Sequence, residues 1–276
     1  MNSKDIFIKF KTKFLKFWRS ENTKISLLRD VLIALFLVLI ILTALWAYTG
    51  QWFGTPMVAI ESGSMQHENE PFGRFGTINA GDMVFLVKVN NRNDIVTNIA
   101  RDNNNYFYGN YGDVIVYRPD GDDSQDPIIH RAMCWVEYHE EYDTYTVEGY
   151  SGNTNVSRIT ISELGLVNYV PKTKHSGFIT KGDNPLTNNK ADQAPGSNIC
   201  DNLIKMDWIS GKARGELPWI GTLNLLFNDL IAGKNKVGNV PSDCLVCLVI
   251  LIAILISIPI TLDIYSYYKE KKEEKD

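Results

Sequence analysis

Histidine and cysteine are scarce in this chain, and their scarcity limits the chemistry it can carry out. The 276 residues include only four histidines and four cysteines, and their spacing matches no convincing metal-ligand motif. No glycine-rich phosphate-binding loop is present, so we expect neither a metal nor a nucleotide cofactor. Segment 49–243 holds sixteen Lys/Arg against twenty-four Asp/Glu, and this acidic balance argues against nucleic acid as a partner.

The few cysteines say little about function. Cys134 and Cys200 lie in the same central segment and could form a disulfide or remain free. Cys244 and Cys247 lie one helical turn apart in an apolar run, where small packed or lipid-facing residues are the simplest interpretation. Asn155-Val156-Ser157 fits the acceptor pattern for glycosylation, which is frequent by chance.

Charge is absent from two long apolar runs. Residues 31–48 are eighteen uncharged residues, and as a helix they would span roughly 27 Å, enough for a bilayer core. Residues 244–262 form the second run, nineteen residues long. A buried core helix is an alternative for either run, and a cleavable signal peptide is one for the first. We favour membrane spans because of the length of the runs and their charged flanks.

The charged flanks predict a topology. Residues 1–30 carry eight Lys/Arg against three acids, and positive residues favour the cytoplasmic side. The sequence thus predicts a cytoplasmic basic N-terminus (1–30), a transmembrane helix (31–48), an extracytoplasmic β-rich domain (49–243), a second transmembrane helix (244–262) and a cytoplasmic charged tail (263–276). The chain would be a multi-pass protein of the cell membrane, or of the endoplasmic reticulum membrane in a eukaryote.

The central domain has the pattern of short antiparallel strands. β-branched and aromatic runs alternate with Gly, Asn, Asp and Pro. The predicted strands are Met83–Val89, Val114–Tyr117, Ile128–Tyr138, Tyr145–Glu148, Ser176–Thr180 and a stretch around Leu217–Leu226. The polar stretches 90–112 and 186–202 are predicted to be surface excursions. The fold class is therefore mainly β, with a helix at each end.

One serine has the surroundings of a nucleophile. Ser64 lies in Glu61-Ser62-Gly63-Ser64-Met65, shortly after the first apolar run. A hydroxyl needs a neighbouring base, and His130 lies on a predicted strand between apolar same-face neighbours. Asp183, in a Gly-Asp-Asn turn, could orient that imidazole. Taken alone, an ordinary turn is the more common explanation for the serine and aspartate motifs, and a satisfied core histidine is the alternative for His130. His67 is a rival base.

The order of these motifs resembles a family. Residues ESGSM, IIHR and KGDNP follow one another along the chain. Segments GDMVF (Gly81–Phe85) and GDVIVYRP (Gly112–Pro119) lie between the first two, and GKARGELPWIG (Gly211–Gly221) comes after the third. In this respect the chain resembles a type I signal peptidase of the archaeal and endoplasmic-reticulum branch. The resemblance implies a signal-peptidase-like antiparallel β catalytic domain.

The resemblance also implies a role for each matched residue. Ser64 would attack the scissile carbonyl, His130 would act as general base and acid, and Asp183 would orient the imidazole. The Ser64 backbone N–H, helped by the Ser62 hydroxyl, would stabilise the oxyanion. Bacterial relatives carry a lysine where this chain has His130. The family's second aspartate has no match five or six residues after Asp183, and Asp192, nine residues on, is a supporting candidate.

The function implied by the resemblance is the removal of signal peptides from exported preproteins after small residues, in an Ala-x-Ala pattern. Partners would be preprotein signal peptides, the lipid bilayer and the protein-translocation machinery. Two alternatives stay open at this point. One is a membrane-anchored binding protein without catalysis, and the other is a processing peptidase for a different class of exported protein.

Overall fold

Helices at both ends flank a domain built mainly of strands in the computed structural model, which describes residues 3–20, 22–52, 54–233 and 235–273. The end of the predicted charged tail, 274–276, lies outside the described residues. The α-helices are α1 (Ser3–Trp18), α2 (Thr23–Thr49), α3 (Gly221–Ala232) and α4 (Ser242–Glu273). The strands are β1 (Met57–Ala59), β2 (Met83–Val87), β3 (Tyr106–Phe107), β4 (Asn110–Tyr111), β5 (Val114–Tyr117), β6 (Ile128–His139), β7 (Thr144–Val147), β8 (Ile159–Ile161), β9 (Leu166–Tyr169), β10 (Gly177–Lys181) and β11 (Ile209–Leu217).

Within the described residues, two helices are long and apolar enough to cross a membrane. They are Thr23–Thr49 and the Ser242–Lys271 part of α4, and each extends several residues beyond the apolar run that predicted it. Asn22 caps the start of α2 by accepting from the Lys24 N–H, and Gly50 ends it in a left-handed conformation with φ 67°. Helix α2 belongs to one unit of the chain, Met1–Gly54, and α4 to the other, Thr55–Asp276.

The second unit is organised by a seven-stranded antiparallel sheet. Its order is β1-β2-β11-β5-β6-β10, and β7 also pairs with β6. Five of the six predicted strands occur, within two residues at either end. In β2, Val84 and Leu86 are buried and alternate with less buried residues, as period-2 patterning requires. The prediction of a mainly β domain is confirmed.

The predicted strand around Leu217–Leu226 is wrong, because β11 ends at Leu217 and helix α3 begins at Gly221. Pro218 has no N–H for the ladder, and Trp219 follows with φ 64°. The carboxylate of Asp82 accepts the Trp219 N–H at 2.9 Å. A Cβ on Gly221 would lie 2.3 Å from the Asp82 carbonyl oxygen, so this turn requires glycine.

Segment 186–202 is only in part the surface excursion predicted from its polarity, because its middle is buried. Ala191 and Asp192 are fully buried, and Gln193 is nearly so. The Asp192 N–H donates to the Thr180 carbonyl at 2.9 Å, and the Gln193 side chain accepts the Thr180 N–H at 3.1 Å. The segment therefore packs over β10 and satisfies its polar groups there.

Cys134 and Cys200 are buried free thiols, and the described residues contain no disulfide. Burial raises the pKa of both thiols well above the usual range. The two cysteines therefore serve as small core residues.

Candidate active site

The loop that carries Ser64 is held in place by its neighbours. Ile60 and Met65, on either side, are both buried in a cluster with Val84 of β2. The Ile60 N–H donates to the Asp82 carbonyl and the Ile60 carbonyl accepts the Gly81 N–H, both at 2.9 Å. The serine is therefore presented on a short loop whose two ends are anchored in the core.

The Gly182–Asn184 turn fixes the same loop from a second side. The Asn184 N–H donates to the Ser64 carbonyl at 2.9 Å, and the Asn184 side-chain amide donates to the Gly63 carbonyl at 2.7 Å. A Cβ on Gly182 would lie 2.6 Å from the Ser64 carbonyl oxygen. Because no side chain fits there, glycine is required for the two loops to approach so closely.

Ser64 opens onto a cavity of about 530 Å³. The Ser62 hydroxyl donates to the Ser64 hydroxyl at 3.3 Å, and both serines line the cavity. The remaining walls are mostly apolar and come from the β1 region, β5, the start of β6, the 188–199 segment and α3. They include Val58, Ala59, Ile60, Val116, Ile128, Ile129, His130, Asn188 and Ile199.

His130 also lines this cavity and has a buried acidic partner. It lies on β6 and is only 2% exposed. Its Nδ1 is 2.8 Å from the Oδ2 atom of Asp192. An Nδ1–H that donates to this carboxylate leaves Nε2 of the imidazole as the free base, which is the tautomer a general base needs.

Asp192 is well suited to carry a negative charge beside the imidazole. Burial by itself would raise its pKa, but the charge of His130 and hydrogen bonds from His130, Thr180 and Tyr117 lower the pKa below its usual value. The Tyr117 hydroxyl donates to Oδ2 at 2.7 Å. The Asp192 carbonyl accepts the Ser197 hydroxyl, so the backbone is fixed as well as the carboxylate.

Ser64 and His130 therefore lie on the walls of one cavity, although no hydrogen bond joins their side chains among the described residues. Catalytic hydrogen bonds are often long without substrate and tighten when substrate binds. A hydroxyl, an imidazole and a buried carboxylate at one cavity are the parts of an acyl-transfer site.

Asp183 does not occupy the position predicted for it. The sequence places it behind His130, but the structure pairs it with the buried guanidinium of Arg131 instead. The Arg131 Nε–H donates to both carboxylate oxygens, at 2.9 and 3.0 Å, and an Nη2–H donates to Oδ2. Alternation along β6 explains this difference, because His130 and Arg131 point to opposite faces of the strand. The supporting candidate, Asp192, contacts the imidazole.

Arg131 and Asp183 together connect the site to the 107–112 hairpin. The remaining Arg131 N–H groups donate to backbone carbonyls, with Gly112 the nearest at 2.6 Å. Burial alone would raise the pKa of Asp183, but hydrogen bonds from Arg131 and the nearby imidazole of His67 lower it. Asp183 is thus a charged carboxylate with a structural role. It directly precedes Asn184, which holds the Ser64 loop.

His67, the rival base, lies against Asp183. Its Nε2 is 3.4 Å from the Asp183 Oδ2 atom, and this contact raises the pKa of His67. A histidine that gains a proton beside a carboxylate is a poor acceptor for the serine proton. The two remaining histidines are used elsewhere, since His139 contacts Thr146 and His175 stacks edge-on against Trp208.

Sequence reasoning identified Ser62, Ser64, His130 and Asp192 as candidates, and the structure brings all four to one site. The sequence analysis did not identify Tyr117 and Asn184. Tyr117 ends a strand in which every residue is buried, so its hydroxyl needed an internal partner. Within the described ranges, no group of His, Cys, Asp and Glu is arranged to hold a metal ion.

No protein-family model and no curated protein matches this chain.

Proposed function

We propose that this chain is a membrane-bound serine endopeptidase that removes N-terminal signal peptides from exported preproteins, cleaving after small residues. The observation that carries the proposal is the His130–Asp192 pair on the wall of the cavity that Ser64 lines. Support also comes from the order of the sequence motifs and from the two helices long enough to cross a membrane.

The chemistry follows from the arrangement. His130 Nε2 takes the Ser64 hydroxyl proton as the serine oxygen bonds to the scissile carbonyl carbon. Asp192 stabilises the resulting imidazolium, and the Ser64 N–H and the Ser62 hydroxyl donate to the oxyanion. The imidazolium then protonates the leaving amine as the peptide bond breaks. A water molecule, deprotonated by His130, hydrolyses the acyl-enzyme and restores the serine.

The membrane helices give this chemistry a location. In the proposed topology the basic N-terminus and the charged tail are cytoplasmic and segment 49–243 lies on the outer side. Anchoring raises the effective concentration of a substrate that is itself held in the bilayer by its signal peptide. The substrates would be preproteins delivered by the translocation machinery.

The test is cleavage of a preprotein by the full chain in membranes. Ser64→Ala and His130→Ala should each lower the rate by a factor on the order of 10⁴–10⁶ while the protein stays folded, because each removes a group that acts in the transition state. His139→Ala is the matched control and should cleave normally. Wild-type cleavage by His130→Ala would rule out His130 as the base.

The substrate class needs its own measurement. Profiling the N-termini of secreted proteins after depletion of the enzyme should show retained signal peptides on many exported proteins. Retention on one narrow class of exported protein would instead identify a specialised processing peptidase. A folded chain that cleaves no preprotein would identify a binding protein.

A further inference from the structure

Helix α3 has its apolar side facing outward. Five large apolar residues follow the helical spacing i, i+3, i+4, i+7, i+8, which places them on one face. They are Leu223 (47% exposed), Leu226 (47%), Phe227 (63%), Leu230 (77%) and Ile231 (73%). A helix of a soluble domain normally turns such a stripe towards the core. The stripe is therefore suited to an apolar environment outside the domain.

The other side of α3 is already packed. Leu225 is fully buried, in a cluster with Ala80, Val240 and Cys244. The single charged residue of the helix, Asp229, accepts the N–H groups of Lys236 and Val237, both at 2.9 Å. The outward face therefore carries no charge, and rotation of the helix could not bury it.

The position of α3 along α4 suggests what covers this face. Cys244, which contacts the α3 cluster, lies at the start of the uncharged run 244–262 in α4. Leu248, one turn further on, is still buried, but most large side chains of α4 beyond it are exposed, among them Val249 and Ile250. If α4 crosses a bilayer, α3 lies at the level where α4 enters it.

A loop adds two aromatic residues at the same level. Phe72 and Phe75 are 68% and 58% exposed. Between them, the Gly73 N–H donates to the carboxylate of Asp243 in the first turn of α4 at 3.1 Å. Arg74 Nε–H donates to both oxygens of the same carboxylate at 3.2 Å. The two phenylalanines are thus tied to the beginning of α4.

We propose that Phe72, Phe75 and the outward face of α3 form a docking surface for the phospholipid bilayer, in which α3 lies in the plane of the interface. Aromatic and aliphatic side chains on one face of a helix are characteristic of such interfacial elements. Since the docking surface is uncharged, zwitterionic lipid suffices. The proposal depends on α4 crossing the membrane and not on peptidase activity.

The consequence for the cavity is direct. Asn224 of α3 lines the same cavity as Ser64. A helix docked in the interface would hold that cavity at the depth of the lipid headgroups, in addition to the anchoring that α4 provides.

The test measures depth in the full chain, reconstituted as single copies in phosphatidylcholine nanodiscs. Spin labels are attached at Phe227→Cys and Leu230→Cys in a background in which Cys244 and Cys247 are replaced by serine. Asn228→Cys, exposed on the same helix but outside the apolar stripe, is the matched control. Relative accessibility to oxygen and to a water-soluble nickel chelate reports the depth.

Labels at 227 and 230 should lie about 5–10 Å below the lipid phosphates, and the label at 228 should be accessible to the nickel chelate. Phe72→Cys should report a similar depth, with Glu68→Cys as its exposed loop control. Equal nickel accessibility at 227, 228 and 230 would overturn the proposal. Shielding of 227 and 230 from both reagents would also overturn it, because it would show protein covering the surface.

Discussion

Asp183 and Asp192 are both buried carboxylates, yet they contact different side chains. Asp192 faces the imidazole of His130, and Asp183 faces the guanidinium of Arg131. Both have a lowered pKa, so both are charged at neutral pH. Because their partners differ, we expect substitution of Asp192 to affect the cleavage rate and substitution of Asp183 to affect stability.

Asp192→Asn should lower the rate of preprotein cleavage by a factor of about 10³–10⁴, because an amide cannot stabilise the imidazolium and favours the wrong tautomer. Asp183→Asn should instead lower the free energy of unfolding by about 3–5 kcal/mol, because it leaves Arg131 buried without its counter-charge. Cleavage rates of folded protein and thermal unfolding separate the two effects. The exposed Asp201→Asn is the control for both.

The opposite result would reverse the assignment. If folded Asp183→Asn lost cleavage while Asp192→Asn kept it, Asp183 would be the orienting acid. The sequence could not decide between them, because only the pairing of β6 with its neighbours determines which face His130 and Arg131 occupy.

At the scale of elements, the turn after β10 positions the serine loop. Asn184 donates two hydrogen bonds to consecutive carbonyls of that loop, one from its backbone and one from its side chain. It contacts the backbone of the proposed nucleophile, Ser64, and not its hydroxyl, so we regard it as a positioning residue.

Asn184→Ala should lower kcat by roughly 10²-fold and leave KM nearly unchanged, since a small misplacement of a nucleophile costs rate more than binding. Steady-state cleavage kinetics measure kcat and KM separately. Leu186→Ala, in the same turn and 81% exposed, is the matched control. An increase in KM with unchanged kcat would mean that Asn184 binds substrate instead.

Some helices and strands could be predicted from the sequence and others could not. Strands β2, β5 and β6 were predictable because their alternation or continuous apolarity is local. Helix α3 was missed because its apolar stripe resembles a strand over a short window, and the Asp82–Trp219 contact that ends β11 joins residues far apart in sequence. Segment 186–202 was missed because its polar groups are satisfied internally, which no local pattern records.

At the scale of the whole molecule, two partly or fully buried acids make stability depend on pH. Burial raises the pKa of Asp82 to about 6 and that of Glu216 to about 7. Glu216 accepts the Gly76 N–H at 2.6 Å through Oε1, while Oε2 is buried without a partner in the described residues. The folded chain therefore holds these protons more tightly than the unfolded chain does.

For Glu216, the raised pKa makes the folded chain less stable as the pH rises. Its contribution to stability is complete below its ordinary pKa of 4.5 and is lost as pH rises towards 7. Glu216→Gln, which stays neutral, should flatten this part of the pH dependence and raise the Tm above pH 7. Thermal unfolding across that range measures it, with the exposed Glu137→Gln as control. A Tm difference that did not change with pH would contradict the assignment.

The short segment before α4 fixes the distance between the Ser64 loop and that helix. The Asn239 side chain donates to the carbonyl of Glu61, and Lys236 pairs with the Glu61 carboxylate. Glu61 precedes Ser64 by three residues, and Asn239 precedes α4 by three, so each tether reaches at most about 10–11 Å. If Ser64 cuts a bond as proposed, that bond must come within a fixed distance of the first turn of α4. Inserting residues between Asn239 and α4 should then move the cleavage site along the substrate.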